Sequence, residues 1–236
     1  AQIVPDPEGT GTGTYEFETI ASGLQGVWAR ENTRESLWDA MMRKETYATT
    51  GTRMTVRVFA GWDYDEKDVL RPDFARTGYL GGVPMGGDLT AAPDGKATRL
   101  MIRALRDPDG ANLDRVQIIK GWLDGSGDLQ EKIYDAACSD DRPIGANNRC
   151  DGSVGNTVNV AAASYTNDIG DALLMAYWED PDFNADERAF YYVRVLEIPT
   201  PRWTTYDAAF YGVDLPDGVP AIQQDRAYTS PIWYTP

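Results

Sequence analysis

The chain has 236 residues, of which 42% are hydrophobic and 11% aromatic, and this composition predicts a folded protein with a substantial core. Its 37 acidic and 22 basic side chains give a formal net charge of −15, which disfavours nucleic acids and anionic membrane surfaces as partners. The chain contains no histidine, so catalytic triads, imidazole-bound zinc and histidine-based phosphoryl transfer are excluded within these residues. Chemistry by carboxylates alone remains open.

The N-terminal residues 1–22 are predicted to form a linker-like segment. Residues 5–14 are rich in Gly and Thr but lack the preceding strand and the following helix of a phosphate-binding loop. No stretch of the chain approaches the ~20 apolar residues that cross a bilayer, so we expect no membrane span. The start also lacks the basic region and apolar run of a signal peptide, and we expect any export signal to have been removed already.

The clearest helical pattern covers residues 32–45. Asn32 is placed to cap this helix, and Glu35 sits at its third position. Four apolar residues then recur on one face: Leu37, Trp38, Met41 and Met42. Glu31 and Asn32 are also candidates for a substrate pocket, because the amides at a helix N-terminus bind anions where the loop is open. Capping alone explains both residues and is the favoured interpretation.

Alternating apolar and polar residues after residue 53 predict an antiparallel β-sandwich. Clusters of Gly, Pro, Asp and Asn separate the predicted strands, as expected of turns. The seven predicted strands cover residues 54–59, 99–105, 115–122, 131–137, 157–162, 172–178 and 190–196. The fold class is therefore mainly β, with a sandwich-like domain at residues 53–236 that follows a helical segment at residues 23–52.

The predicted strand at residues 190–196 is expected to lie inside its sheet, because both of its faces are largely apolar. One face carries Phe190, Tyr192, Arg194 and Leu196, and the other carries Tyr191, Val193, Val195 and Glu197. The segment 199–236 is broken by prolines, so it is interpreted as loops and short edge segments that pack on earlier structure.

Four aspartate-rich turns, at residues 63–66, 107–110, 124–128 and 180–182, are compared with calcium sites. None has the ligand spacing and terminal Glu of an EF-hand loop, so turn chemistry is the favoured explanation and calcium a minor alternative. No other metal site or cofactor is predicted in this chain. Cys138 and Cys150 flank a polar loop and are expected to form a disulfide, with two free thiols as the alternative. A disulfide favours a periplasmic or secreted protein.

Arg202 and Trp203 follow two prolines that stiffen the backbone, so the Arg202 guanidinium is a candidate to contact an anionic ligand. An arginine stacked on an aromatic neighbour explains the same residues. Lys120 lies at the end of a predicted strand, where a buried aliphatic stem and a solvated ammonium need no function. No catalytic residue is therefore assigned.

Several long segments of the sequence, which together span nearly all of the chain after residue 23, resemble one family. They are Gly26–Glu35, Arg43–Gly51, Val83–Leu89, 107–114, Gln117–Trp122, Trp178–Phe183, Ala189–Asp207 and Arg226–Pro236. They resemble a bacterial family known only as a domain of unknown function, DUF3604. The resemblance implies a parent protein in the polymerase-and-histidinol-phosphatase superfamily, similar to carbaryl-hydrolase-like metallohydrolases.

The resemblance implies that an upstream barrel binds divalent metal ions through His and Asp/Glu clusters, and that residues 23–52 close this barrel. The chain is then the C-terminal portion of a phosphoesterase or esterase and has no activity alone. The apolar face of helix 32–45 would be exposed, or covered by another chain, where the barrel is missing. Glu197, Arg202 and Trp203 become substrate-pocket candidates, and a packing role predicts the same pattern.

The alternative function is an independent extracellular module that binds carbohydrate or another ligand. Such a module would use aromatic side chains on the sandwich, since their apolar ring faces stack on ring-shaped ligands. It predicts an exposed platform of Trp or Tyr side chains. The hydrolase interpretation therefore predicts an exposed or covered apolar face on helix 32–45, whereas the binding module predicts exposed aromatic side chains on the sandwich.

Overall fold

The structure, a computed structural model, describes residues 23–236 and places two β-sheets face to face. Within the described residues every strand pair is antiparallel except one. This architecture confirms the mainly β, sandwich-like fold class. The linker-like assignment of residues 1–22 lies outside the described residues.

The described chain contains fourteen strands and three α-helices, together with a short 3-10 helix at Asp68–Leu70. The strands are β1 (Leu24–Val27), β2 (Thr46–Thr49), β3 (Thr55–Gly61), β4 (Gly82–Pro84), β5 (Asp88–Thr90), β6 (Arg99–Leu105), β7 (Leu113–Leu123), β8 (Leu129–Cys138), β9 (Leu173–Glu179), β10 (Ala189–Glu197), β11 (Thr200–Pro201), β12 (Ile222–Gln223), β13 (Arg226–Thr229) and β14 (Ile232–Thr235). The helices are α1 (Arg34–Met42), α2 (Phe74–Gly81) and α3 (Trp203–Tyr211). No helix of the described chain is long and apolar enough to cross a membrane.

Strand β10 organises the eight-stranded sheet. One edge of β10 pairs with β7, which in turn pairs with β8. The other edge pairs with β14 near its start and with β13 near its end. Strand β13 continues through β2 to β1, and β14 pairs in parallel with β5. The sheet therefore divides into two arms beside β10, as expected if β10 is a central strand.

The core lies between this sheet and a four-stranded sheet of order β4-β3-β6-β9. Alternate side chains of each strand point inward, because the side-chain period of a strand is two. Val56 and Val58 of β3 therefore pack in the same core as Val193 and Val195 of β10, and all four are buried. The inward face of β10 is thus the one predicted to carry Tyr191, Val193 and Val195.

Segment 23–52 is continuous with the large sheet, because β2 pairs with β13. Two side chains anchor it to the small sheet. The indole nitrogen of Trp28 donates to the carbonyl oxygen of Val56 at 2.9 Å. Glu45 is 1% exposed and accepts a hydrogen bond from the Tyr79 hydroxyl, while the Arg57 guanidinium lies 3.7 Å from it.

Helix α1 is shorter than predicted, and the predicted cap is wrong. The helix covers Arg34–Met42 rather than residues 32–45, and Thr33 is its N-cap because its hydroxyl accepts the Ser36 amide at 3.3 Å. Asn32 lies before the cap and is exposed. The helix ends before Lys44, whose φ of 61° is in the left-handed region. Asn and Thr are both favourable N-cap residues, so the sequence alone does not distinguish Asn32 from its neighbour Thr33.

The predicted strand at residues 157–162 is wrong. This segment is a turn with one isolated bridge, between Asn159 and Ser164. The side chains of Asn156 and Asn159 accept the amides of Val158 and Ala162, so local turn hydrogen bonds replace a strand ladder. The alternation of Val158 and Val160 with polar residues therefore does not correspond to a strand.

The prediction of loops and edge segments at residues 199–236 is also wrong in part. Strands β13 and β14 lie inside the large sheet, with a neighbour on each edge, and α3 is a helix. Pro231 does not interrupt either strand because it falls between them. Helix α2 was not predicted either.

A buried ion pair joins the two sheets at the start of β10. The Lys120 ammonium on β7 lies 2.7 Å from a carboxylate oxygen of Asp180, which follows β9. The two side chains are 3% and 0% exposed. The Tyr191 hydroxyl donates to the same carboxylate at 2.7 Å, and burial raises the pKa of Tyr191 above its usual range. Lys120 is therefore a packing residue whose ammonium is buried, and the predicted solvated ammonium is wrong.

Removing the Asp180 carboxylate should destabilise the fold strongly. Asp180→Ala leaves the Lys120 charge buried without a counter-ion, and such losses cost about 3 to 5 kcal/mol in free energy of unfolding. The matched control is Asp63→Ala, which removes the partner of Lys96 from a pair whose aspartate is 78% exposed, and should cost less than about 1 kcal/mol. Urea unfolding of both variants checks this. Equal small losses would contradict the buried pair.

Candidate functional site

A cavity of mixed polar and apolar lining opens at the end of β10, and we call it the Arg202 cavity. Its volume is about 500 Å³, and its wall comes from the end of β2, the start of α3 and the segment that leads into β13. Pairing of β11 with β12 fixes the wall, because it places the Arg202 amide 2.9 Å from the Ala221 carbonyl oxygen. The lining residues include Thr50, Arg202, Trp203, Gln224, Asp225 and Arg226.

Arg202 and Trp203 lie side by side in this wall. Arg202 is 6% exposed, and its guanidinium carbon lies 5.7 Å from the centroid of the Trp203 ring. That distance is within the range of a cation–π contact, so the stacking interpretation describes this pair. Arg226 adds a second guanidinium to the cavity. Asp225 lines the same cavity, so the lining carries one positive charge in excess.

Glu197 lies behind the same wall. Its amide donates to the Asp225 carbonyl oxygen at 2.9 Å, and its own carbonyl oxygen accepts from Gln224 at 2.9 Å. The side chain is 1% exposed, and one carboxyl oxygen has no hydrogen-bond partner within the described chain. Burial raises the pKa of Glu197 to about 8. Glu197, Arg202 and Trp203 therefore lie in one region at the end of β10, although Glu197 does not line the cavity itself.

Glu31 and Asn32 do not belong to this cluster. Both are exposed in the loop before α1, and the Glu31 amide donates to the Ser36 hydroxyl at 3.2 Å. Strand β1 pairs with β2 so that Leu24 faces Thr49 and Val27 faces Thr46. The α1 loop leaves at the Val27 end, whereas the Arg202 cavity lies at the Thr49 end, roughly 10 Å away along the strand.

The sequence did not predict a further cavity with a polar lining, which we call the arginine pocket. Its volume is about 370 Å³. It is lined by Asp114, Arg115, Asp135, Arg142, Arg149 and Gln224, among others, and it shares Gln224 with the Arg202 cavity. Two of its arginines lie within the loop between the cysteines, and this was the available sequence signal. The other residues named come from β7, β8 and the segment before β13, and the wall also includes residues 152–155 and Pro199.

The predicted disulfide is confirmed. Cys138 and Cys150 are bonded, with their Cα atoms 5.8 Å apart. They are also members of the one close grouping of three or more metal-ligand side chains among residues 23–236, which Asp135 completes. A disulfide has no thiolate to offer a metal, so this grouping does not form a metal site.

The aspartates of the predicted turns make structural contacts. Asp107 accepts the Arg53 amide at 2.7 Å and pairs with its guanidinium. Asp124 accepts the amides of Ser126 and Asp128 within its own hairpin. Turn and ion-pair chemistry therefore explains these carboxylates.

The third cavity lies at the start of β10, and we call it the aromatic groove. Its volume is about 630 Å³, and Trp122, Phe190 and Trp233 line it. Trp233 is 45% exposed, and its ring centroid lies 5.3 Å from that of Phe190. A Cβ atom on Gly121 would lie 2.3 Å from the Phe190 ring, so glycine at this position is what lets the ring lie across β7. The aromatic groove is about 26 Å from the Arg202 cavity along β10.

Replacing Glu197 should flatten part of the pH dependence of stability. Between its ordinary pKa of 4.5 and its folded-state pKa of about 8, the carboxyl keeps its proton only in the folded state, so the free energy of unfolding falls as pH rises through this window. The fall amounts to on the order of 4 kcal/mol between pH 5 and pH 8. Glu197→Gln, a neutral substitute for the protonated acid, should remove it.

The measurement is urea unfolding at pH 5, 7 and 9 for the wild type and for Glu197→Gln. The control is Glu66→Gln, at an exposed position, which should keep the wild-type profile. A Glu197→Gln profile parallel to that of the wild type would show that this carboxyl is ionised in the folded protein.

Comparison with known proteins gives one family and no individual relative. A family model described as "Protein of unknown function (DUF3604)" matches residues 6–236. Neither the curated proteins nor the solved structures contain a significant match to the chain. Because the matched region covers almost the whole sequence, the chain belongs to the DUF3604 family.

Proposed function

We propose that this chain is the non-catalytic C-terminal portion of a metal-dependent hydrolase of the phosphoesterase or esterase type. The observation that carries the proposal is the exposed apolar face of α1. Trp38 is 63% exposed and Met42 is 64% exposed, while Ala40 is the one buried residue of the helix. Such a face is costly to leave in water and is typical of a surface that another domain covers.

The covering partner is an upstream domain of the same protein. Strand β1 is an edge strand of the large sheet, pairs only with β2 within the described chain, and lies beside α1. A strand of four residues is roughly 13 Å long, whereas a domain of 100 residues has a diameter near 30 Å. One domain seated on β1 therefore covers both the face of α1 and the mouth of the Arg202 cavity.

The division of labour follows from the side chains that this sequence contains. Water activation at neutral pH needs donors arranged around a metal ion, and the histidines that usually supply them are absent from the chain. The divalent metal ions and the catalytic groups belong to the upstream domain. The Arg202 cavity contributes Arg202 and Arg226, which bind an anionic part of the substrate, and Trp203, which packs beside it. The disulfide supports a periplasmic or secreted location.

Metal analysis and hydrolase assays test this proposal. The 236-residue chain should retain no stoichiometric divalent metal and should not hydrolyse model phosphate or carboxylate esters, whereas a longer polypeptide that carries the upstream domain should do both. In the longer polypeptide, the double variant Trp38→Glu, Met42→Glu should lower kcat/KM by about tenfold, because it places charges in the domain interface.

The matched control is Leu80→Glu, at a leucine of α2 that is 77% exposed, which should leave kcat/KM unchanged. Hydrolysis by the 236-residue chain alone would contradict the proposal. Equal activities of the double variant and Leu80→Glu would contradict the placement of the interface.

A second function is favoured by the aromatic groove. An independent binding module was expected to present an exposed aromatic platform, and this proposal is supported by Trp233, which is 45% exposed beside the half-buried Phe190 and Trp122. Glu131 and Gln130 at its rim supply hydrogen-bonding groups beside the apolar rings, a combination that suits a pyranose ring. Under this second proposal the groove binds carbohydrate.

A glycan array followed by calorimetry tests the second function. Trp233→Ala should weaken binding of any glycan identified by about tenfold or more, since stacking on an exposed indole is lost. Trp38→Ala removes a more exposed tryptophan outside the groove and should leave the affinity unchanged. An array without a bound glycan, or equal affinities of the two variants, would count against this function.

A further inference from the structure

We propose that the arginine pocket binds a small oxyanion, such as a phosphate or carboxylate group. The site consists of residues of this chain alone, so it does not depend on the upstream domain or on its chemistry. It is distinct from the Arg202 cavity, although Gln224 lies in the wall between them.

The first argument is charge. Three guanidiniums line the pocket, from Arg115, Arg142 and Arg149, against the two carboxylates of Asp114 and Asp135. The carboxylates are 0% and 4% exposed, so they form the floor rather than the mouth. One positive charge therefore remains in excess. This excess is a local reversal of sign in a chain of net charge −15, and it attracts an anion into the pocket.

The second argument is the supply of hydrogen-bond donors. Arg142 is occupied, because it donates to Asp114 and to Ser139. Arg115 pairs with Asp114 through one terminal nitrogen, and its Nε atom is buried with no hydrogen-bond partner in the described chain. This atom is enclosed, so only the exposed part of the Arg115 side chain, 25% of it, is open to an oxygen atom of a bound anion.

Arg149 supplies the remaining donors. Its Nε atom lies 3.6 Å from an Asp135 carboxylate oxygen, and its side chain is 38% exposed. A guanidinium has five N–H groups, so those of Arg149 that do not face Asp135 are available to a ligand. A single guanidinium presents a fork of donors that matches the oxygens of phosphate and carboxylate, and Arg149 brings this fork to the pocket lining.

The third argument is preorganisation of the loop that carries Arg149. The Cys138–Cys150 disulfide closes the loop, and the Cys150 amide donates to Asp135 at 2.8 Å. The Asp135 amide in turn donates to the Asn148 carbonyl oxygen at 2.8 Å. The loop on both sides of Arg149 is therefore held to β8 before any ligand arrives. Less ordering entropy is lost on binding as a result.

The test is calorimetric or NMR titration of the 236-residue chain with inorganic phosphate, sulfate and acetate. We expect saturable binding of at least one of these anions with a Kd near or below about 1 mM at low ionic strength. Phosphate binding without acetate binding identifies a phosphoryl ligand, and the reverse identifies a carboxylate. Each of these results supports the site, whereas no saturable binding of any of the three anions overturns it.

Variants assign the binding to the pocket. Arg149→Ala should weaken binding by about tenfold, and Arg149→Lys should be intermediate because it keeps the charge but loses the fork. Arg76→Ala is the control, at an exposed arginine of α2 outside the pocket, and should bind as the wild type does. Circular dichroism and urea unfolding establish that each variant is folded. Equal affinities of Arg149→Ala and Arg76→Ala would overturn the assignment.

Reduction of the disulfide gives an independent readout. If the closed loop positions Arg149, then reduction under native conditions should weaken anion binding of the wild type and leave Arg149→Ala unaffected. An unchanged affinity of the reduced wild type, with the secondary structure intact, would contradict the role of the disulfide in the site. None of these experiments involves a metal or hydrolysis, so their outcome is separate from that of the proposed function.

Discussion

The burial of the inward face of β10 and the pairing of both its edges are the constraint on which the rest of the structure depends. Its inward residues Tyr191, Val193 and Val195 fill the core, and its two edges hold the arms of the large sheet. The aromatic groove forms at its start and the Arg202 cavity at its end. The same burial raises the pKa of Glu197, the last residue of β10, to about 8.

Two buried carboxylates fix the positions of two cationic side chains in this acidic chain. Asp180 holds Lys120 between the sheets, and Asp114 holds Arg142 beside the disulfide loop. Ion pairs of this kind add little net stability compared with a hydrophobic replacement, because both charges lose their hydration. They do place charged side chains with fixed geometry. In the core, the Lys120 pair satisfies both partners. In the arginine pocket, the cations exceed the carboxylates, so the same physics leaves donors for a ligand.

Most of the strands could be predicted from the sequence, because their side chains alternate between core and solvent. Strand β6 has the predicted bounds, and the predicted strand at residues 190–196 differs from β10 by one residue at each end. The interior positions of β13 and β14 could not be predicted, since they depend on pairing with β2, β5 and β10 from distant parts of the chain. Helix α3 had an overlooked local signal in Gly212, whose φ of 63° ends the helix.

The candidate site divides in the same way. Glu197, Arg202 and Trp203 are close in sequence, so a polar cluster at the end of one strand could be predicted from a single segment. The arginine pocket assembles from β7, β8, the disulfide loop and Gln224, and no local pattern joins them. One local signal was present, because Arg142 and Arg149 both lie in the loop between Cys138 and Cys150. The missing information was the pairing of β7 with β8, which places that loop above Asp114 and Asp135.

The distribution of exposed apolar side chains favours a covered surface at the β1 side of the molecule. Helix α1 exposes Trp38 and Met42 beside β1, and α3, which begins in the wall of the Arg202 cavity, exposes Phe210 by 82% and Tyr211 by 71%. Single exposed apolar residues are ordinary, as Leu80 of α2 shows at 77% exposed, so a covered surface is inferred from the neighbouring pairs of large apolar side chains on α1 and α3. A domain seated there would exclude water from the cavity mouth and so strengthen the attraction of Arg202 and Arg226 for an anion. The contact that removes apolar surface from water would therefore also strengthen anion binding in the cavity.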